Sequence, residues 1–213
     1  MKKFFSTFIA VVALVAGNAA MAQGDLHVGY IQNTFSTTAH SALGTHLSSA
    51  TNPGYYAGLS YNINLNHHFG LMLGVEGEYF NIKDTASVIG VAGVRTETMR
   101  VNVNVPIMLN YYLRFGREVK LMGFGGLSLN YGIINKTDFH GFAAGVTEDW
   151  TQDNYAQASW LDRYSWGLLY GARLSYGKVG VHAMWLYGIS DLNSDETIET
   201  KCSRMMFGVD LQF

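Results

Sequence analysis

The chain has 213 residues, enough for one sizeable domain, with a single cysteine and 14 basic against 16 acidic residues. A slightly negative balance without a basic patch excludes a nucleic-acid binder, and one cysteine excludes an internal disulfide framework. Charged residues make up 14% of the chain, against about 25% in soluble domains, too few for an ordinary water-facing surface.

Residues 1–22 read as a cleaved secretory signal peptide. Lys2 and Lys3 precede an apolar run from Phe4 to Ala16, and Ala20-Met21-Ala22 gives a small-x-small cleavage pattern. No cysteine follows the run, so a lipoprotein anchor is not expected. Without Lys2 and Lys3, 12 of the 14 basic residues remain against the 16 acidic ones. Residues 23–213 form the mature domain, and no apolar run in it is long enough for a membrane helix.

The mature sequence alternates with a period of two, the signature of strands with unlike faces. A weak first strand carries Leu26, Val28 and Tyr30 on its apolar side. The second, Gly54 to Asn66, carries Tyr55, Ala57, Leu59, Tyr61, Ile63 and Leu65. The third runs from Phe69 to Tyr79 with Glu76, Glu78 and Phe80 opposed. The fourth sets Val101 to Leu113 against Arg100, Asn102, Asn104, Pro106 and Met108. The fifth sets Val119, Leu127 and Leu129 against Lys120, Met122 and Phe124. The sixth places Tyr164 to Tyr176 against Arg163 and Arg173, the seventh Val179 to Ile189 against His182, and the eighth Met205 to Phe213 against Arg204 and Asp210. Short turns at Asn66-His67-His68, Arg114–Glu118 and Gly177-Lys178 alternate with long links at 36–53, 83–96, 134–160 and 190–202. The long links have the Ser, Thr, Asn, Asp and Gly content of solvated loops. Eight antiparallel strands with short turns at one end and long loops at the other predict an all-β fold, an eight-stranded up-and-down transmembrane β-barrel, with both termini on the periplasmic side.

A soluble barrel would alternate too, with its apolar face inward. The polar faces here hold mainly Gly, Ser, Asn and Met rather than the Lys and Glu of a water-facing surface. Turning Arg100, Arg173 and Arg204 toward lipid would cost up to ~2–4 kcal/mol for each basic side chain at mid-depth. Aromatic residues gather at both ends of the apolar faces. Tyr55, Tyr79, Tyr131, Tyr164, Trp166, Trp185 and Tyr187 fall toward the long-loop end, and Phe69, Tyr111, Tyr176 and Phe213 toward the short-turn end. Two such girdles match the two interfaces of a bilayer, so the apolar face is expected to meet outer-membrane lipid and lipopolysaccharide.

The expected lumen charge cluster is Glu76, Glu78, Arg100, Lys120, Arg163, Arg173, His182, Arg204 and Asp210. A turn centred near residue 89 would set Glu78 opposite Arg100, and the Gly177-Lys178 turn sets Arg173 opposite His182. Opposite charges in so narrow an interior should pair, which favours a plug over a thin, porin-like channel. Catalysis is not expected. His182 lacks a neighbouring serine and points inward; His40-Ser41 and His46 lie in the first long loop, where a palmitoyl-transfer site could sit, but seven histidines in a Ser-rich chain make such neighbours common. His67-His68 closes a hairpin, Cys202 is a buried or incidental thiol rather than a reactive one, and neither metal-ligand spacing nor cofactor motif appears. The loops "VTEDWTQDNY" and "SDLNSDETIE" make an acidic rim, the natural seat for contacts whose ligand the sequence does not name.

The segments "VNVNVPIMLNYYL", "FGGLSLNYGI" and "YGARLSYGKVGVHAMWLYGISDL" resemble the PorT-like outer membrane protein beta-barrel family of Bacteroidetes-type bacteria, small barrels akin to OmpA and OmpX. The resemblance implies a Sec-exported protein of the outer membrane with a structural or surface-interaction role, or an accessory role in a secretion system. A small barrel enzyme acting on lipid A is a lesser alternative. The closing "MFGVDLQF", with Phe207, Val209, Leu211 and Phe213, looks like the signal read by the barrel-assembly machinery.

Overall fold

The computed structural model describes residues 22–41, 44–88, 92–116, 118–143, 146–157, 162–192 and 198–213. The signal-peptide reading therefore falls outside the described residues, apart from Ala22. Among the described residues nine strands follow one another: β1 (Ala22–Ser41), β2 (Gly44–Asn64), β3 (Phe69–Val88), β4 (Ala92–Phe115), β5 (Val119–Ala143), β6 (Val146–Asp153), β7 (Tyr164–Tyr176), β8 (Val179–Gly188) and β9 (Ile198–Gln212). A single helical turn, α1 (Asn154–Gln157), lies between β6 and β7. Pairing is antiparallel throughout. It runs β4-β3-β2-β1-β9-β8-β7-β5 and closes through β4–β5, so eight strands form a ring. β6 pairs only with the upper part of β5, outside that ring.

The ring has a definite stagger. From Gly132 on β5, hydrogen-bonded partners lead through Asn102, Glu78, Tyr56, Gly29, Gly208, His182 and Arg173 and return to β5 at Met122, ten residues lower. Eight strands with that stagger must tilt by about 40° to the barrel axis. At that tilt the outward run from Phe69 to Tyr79 spans ~25 Å, the height of an outer-membrane apolar band.

The short turns are built locally. Asn66 Oδ1 accepts from the backbone N–H groups of His68 and Phe69, both at 2.8 Å, an Asx turn that closes β2–β3. His68 stacks on Tyr111 with ring centroids 5.9 Å apart, in keeping with a hairpin-closing role. Gly177 takes φ of 59°, a left-handed conformation glycine reaches without penalty, and this lets β7 turn directly into β8.

The long links differ from expectation. The described residues 36–41, 44–53, 83–88, 92–96, 134–143 and 146–153 are hairpin continuations, with pairing carried out to Ser41↔Gly44, Val88↔Ala92 and Ala143↔Val146. Residues 198–202 extend β9 along β1. Above the ring both faces of these strands meet water, so the apolar alternation that marks a strand is missing although the pairing continues. Threonine, a good strand former, holds the ladders: Thr37 bonds Thr200 at 3.2 Å and Thr98 bonds Thr137 at 2.9 Å. β2–β3 pairing stops at Gly54↔Phe80, β5–β7 at Tyr131↔Tyr164 and β8–β9 at Leu186↔Arg204. The wall thus splits into two protruding sheets, β3-β4-β5-β6 and β2-β1-β9.

Candidate functional site in the barrel lumen

The interior is filled with side chains. Met72, Met108, Met122, Met184 and Met206 are buried with Ile31, Tyr56, Phe80, Tyr112, Phe124, Leu169 and Leu186. Unbranched methionine suits an irregular, tapering space. A cavity of about 10 Å³ beside Ser128, Ser165, Gly188 and Cys202 has room for roughly one water. Cys202 is buried there.

Within this packing sit two networks of charged side chains. In the half nearer the short turns, Arg173 bridges Asp25 and Asp210, each at 2.8 Å. Asp210 also holds His182 Nδ1 at 2.8 Å, and His182 Nε2 meets the Tyr56 hydroxyl. His27 Nε2 lies 3.2 Å from Glu76, which accepts from Asn104 at 2.8 Å. In the half nearer the long hairpins, Arg204 reaches across the lumen to Glu78 at 2.6 Å. Glu78 also accepts from Asn102 at 3.1 Å and Asn130 at 3.3 Å.

The sequence-derived cluster is therefore divided. Glu76, Glu78, Arg100, Arg173, His182, Arg204 and Asp210 are buried, whereas Lys120 and Arg163 are half-buried at opposite rims. Lys120 lies over the Tyr112 ring at 4.5 Å, and Arg163 over Tyr155 at 4.7 Å. Arg173 does face His182. The expected Glu78–Arg100 opposition does not form: Glu78 faces Asn102 and Arg100 faces Phe80. The observed β3–β4 register lies one residue beyond a centre at residue 89, and moving a hairpin's centre by one residue shifts every pair by two while keeping its face. Arg100 instead bonds Asn102 at 3.2 Å and lies over Phe35 at 5.1 Å.

Two participants escaped the sequence reading, Asp25 and His27, both buried on β1, and Asn33 is buried on the same strand without a protein hydrogen-bond partner. The signal was present, because Leu26, Val28 and Tyr30 pointing outward put their odd-numbered neighbours inside. The side chains of His40, Ser41 and His46, and the acidic Asp195 and Glu196, lie outside the described set. Among the described residues no group of three or more His, Cys, Asp or Glu side chains is disposed to hold a metal ion.

The outer face is the reverse of the lumen. Tyr55, Tyr79, Tyr164, Trp166, Tyr187, Phe69, Tyr111, Tyr176 and Phe213 are exposed, with Leu59 at 57% and Val209 at 49% marking the aliphatic band between them. Tyr131 is half-buried against Tyr164 at 4.8 Å. Trp185 sits lower on the wall than Tyr187, stacked on Tyr170 at 6.3 Å and edge-on to Phe207 at 6.1 Å. In the C-terminal run, Phe207, Val209, Leu211 and Phe213 all point outward. No helix among the described residues is long and apolar enough to cross a membrane, so any crossing belongs to the strands.

Residues 19–194 match the family model described as outer membrane protein beta-barrel domain. The chain belongs to that family. It is an outer-membrane barrel, and its apolar exterior is the membrane-facing wall. None of the curated proteins compared with the chain matches it. Among solved structures it is similar to Ail, the attachment invasion locus protein of Yersinia pestis, at 17% identity over 90% of this chain and 99% of that one, TM-score 0.38. Neisserial surface protein A matches at 16% over 88% and 97%, TM-score 0.36. The outer membrane protease OmpT of Escherichia coli matches at 9% over 92% and 98%, TM-score 0.41. None of these similarities carries a residue's role into this outer-membrane barrel.

Proposed function

We propose that this barrel is a structural and surface-interaction protein of the outer membrane, without catalytic activity, that contributes to envelope integrity and makes contacts through its hairpins. The observation that carries this reading is the contrast between a lumen filled by packed side chains and two sheets that project beyond the wall. Each sheet ends in unpaired strand edges, at β6 and β3 in one and at β2 and β9 in the other. Edges of that kind offer main-chain donors and acceptors to a partner.

The short turns and both termini face the periplasm, as in other barrels with this asymmetry. The pattern at residues 1–22 supports Sec export and cleavage, and the outward aromatic and aliphatic residues closing on Phe213 support recognition by the barrel-assembly machinery. The aromatic rings at each end of the wall are seats for lipid and lipopolysaccharide headgroups. Within the family, "VNVNVPIMLNYYL" and "YGARLSYGKVGVHAMWLYGISDL" support a PorT-like, Bacteroidetes-type placement.

Planar-bilayer conductance of the folded protein tests the closed lumen. The wild type and Arg100→Ala are expected to show no steady conductance. Regular unitary currents in the wild type, altered by Arg100→Ala, would instead establish a narrow channel.

A further inference from the structure

We propose that the long-hairpin end of the lumen holds a binding site for a small oxyanion, of phosphate or carboxylate type, seated between Arg100 and Asn33. Tracing the hydrogen-bonded pairs with a tilt of about 40° puts Phe35, Arg100 and Arg163 at one level, with Asn33 and Arg204 one layer beneath. Asn33 and Arg204 are direct cross-strand partners, so their Cβ atoms lie about 4.5–5.5 Å apart. Asn33 is 1% exposed, and both its amide atoms lack a partner; Arg204 Nε and the Tyr155 hydroxyl are likewise buried without one. Buried polar groups of this kind are normally satisfied by protein, by water or by a ligand.

The charge count points the same way. Three guanidinium groups, Arg100, Arg163 and Arg204, share this end with one buried carboxylate, Glu78. Arg204 bonds Glu78 directly and Arg100 reaches it only through Asn102. Arg100 and Arg163 have no ion pair among the described residues, and each lies over an aromatic face instead. Three carboxylates on the protruding sheets are paired locally: Glu97 with Lys83 at 3.1 Å, Asp149 with His140 at 2.9 Å and Glu199 with Lys201 at 2.6 Å. A partly desolvated cation without a counter-charge is costly. An oxyanion entering over Arg100, which stays 8% exposed, would take a guanidinium fork and the Asn33 amide, the donor set such an anion prefers.

The test is titration of the folded, isotope-labelled barrel in maltoside micelles, following the Asn33 side-chain amide by NMR. Inorganic phosphate, acetate and phosphatidylglycerol are separate arms. A saturable shift with inorganic phosphate or acetate identifies a free anion, and one seen only with phosphatidylglycerol identifies a lipid headgroup; either supports the site. Arg100→Gln should weaken binding by about tenfold or more, with Lys201→Gln as the unaffected control. Should Arg100→Gln fail to fold, Arg163→Gln at the rim should weaken it several-fold. No saturable shift in any arm, or affinity unchanged in the folded arginine variants, overturns the proposal. The bilayer conductance result bears on the closed lumen and is independent of it.

Discussion

The Arg204–Glu78 pair and the Lys83–Glu97 pair show how burial sets the worth of a charge contact. Both are close ion pairs, at 2.6 Å and 3.1 Å. The first is sealed in the lumen, and the second stands in water with half the lysine side chain exposed. Removing one partner of a buried pair strands the other charge and costs about 3–5 kcal/mol, whereas an exposed pair is worth about 0–1 kcal/mol. Glu78→Ala should therefore lower unfolding stability by about 3–5 kcal/mol, and Lys83→Ala by less than about 1 kcal/mol, in urea titrations of the vesicle-embedded barrel. Equal losses would mean that Glu78 is hydrated in the folded state. The inward charges were legible because only one register keeps them out of lipid. Which charge meets which was not, since Arg204 reaches Glu78 from three strands away and periodicity carries no such distance. Asp25 and Asn33 share the face opposite Leu26, Val28 and Tyr30, a run that marks their inward direction without marking what they meet.

At the scale of elements, the hairpins above the ring are ladders without a buried face. Within residues 138–151 no described side chain is buried. The Phe139–Trp150 stack, with centroids 5.0 Å apart, decorates the hairpin rather than the barrel. Replacing residues 138–151 by an Asn-Gly turn should leave the barrel folded, with a melting temperature within a few degrees of the parent. Loss of folding would show that the hairpin supports the ring. The β3–β4 hairpin offers a pH test. The hydrogen bond from Asn81, followed by that from Lys83, holds the Glu97 carboxyl below its ordinary range. A carboxyl depressed on folding contributes stability above its unfolded pKa and loses it as pH falls through the folded value. NMR titration should find the Glu97 midpoint below the usual carboxylate range and Asn81→Ala should raise it; an unchanged midpoint in that variant would contradict the assignment. That these links are strands was hidden in the sequence. Hydropathy alternation reports a face turned to apolar surroundings, and these strands have none. Their serine and threonine content shows contact with water and is silent about pairing.

For the whole molecule, eight strands and a stagger of ten residues fix a narrow cylinder whose interior must be filled and whose exterior must be apolar over ~25 Å. The sequence carried that division because Tyr55, Leu59, Ile63 and their cross-strand neighbours repeat it in every strand. Closure leaves no open edge at the depth of the membrane, where each unpaired backbone group would cost several kcal/mol; open edges occur only where the wall has split above it. The central claim is that the outward aliphatic face touches acyl chains while the lumen face does not. Single-tryptophan variants with every native tryptophan replaced by phenylalanine, one carrying Leu59→Trp and one Met72→Trp, test it in vesicles of acyl-brominated lipid. Leu59→Trp should be strongly quenched by bromine near the chain ends and insensitive to aqueous iodide, and Met72→Trp should be little quenched by either. Quenching of Met72→Trp by the lipid, with Leu59→Trp open to iodide, would mean that the wall faces the opposite way.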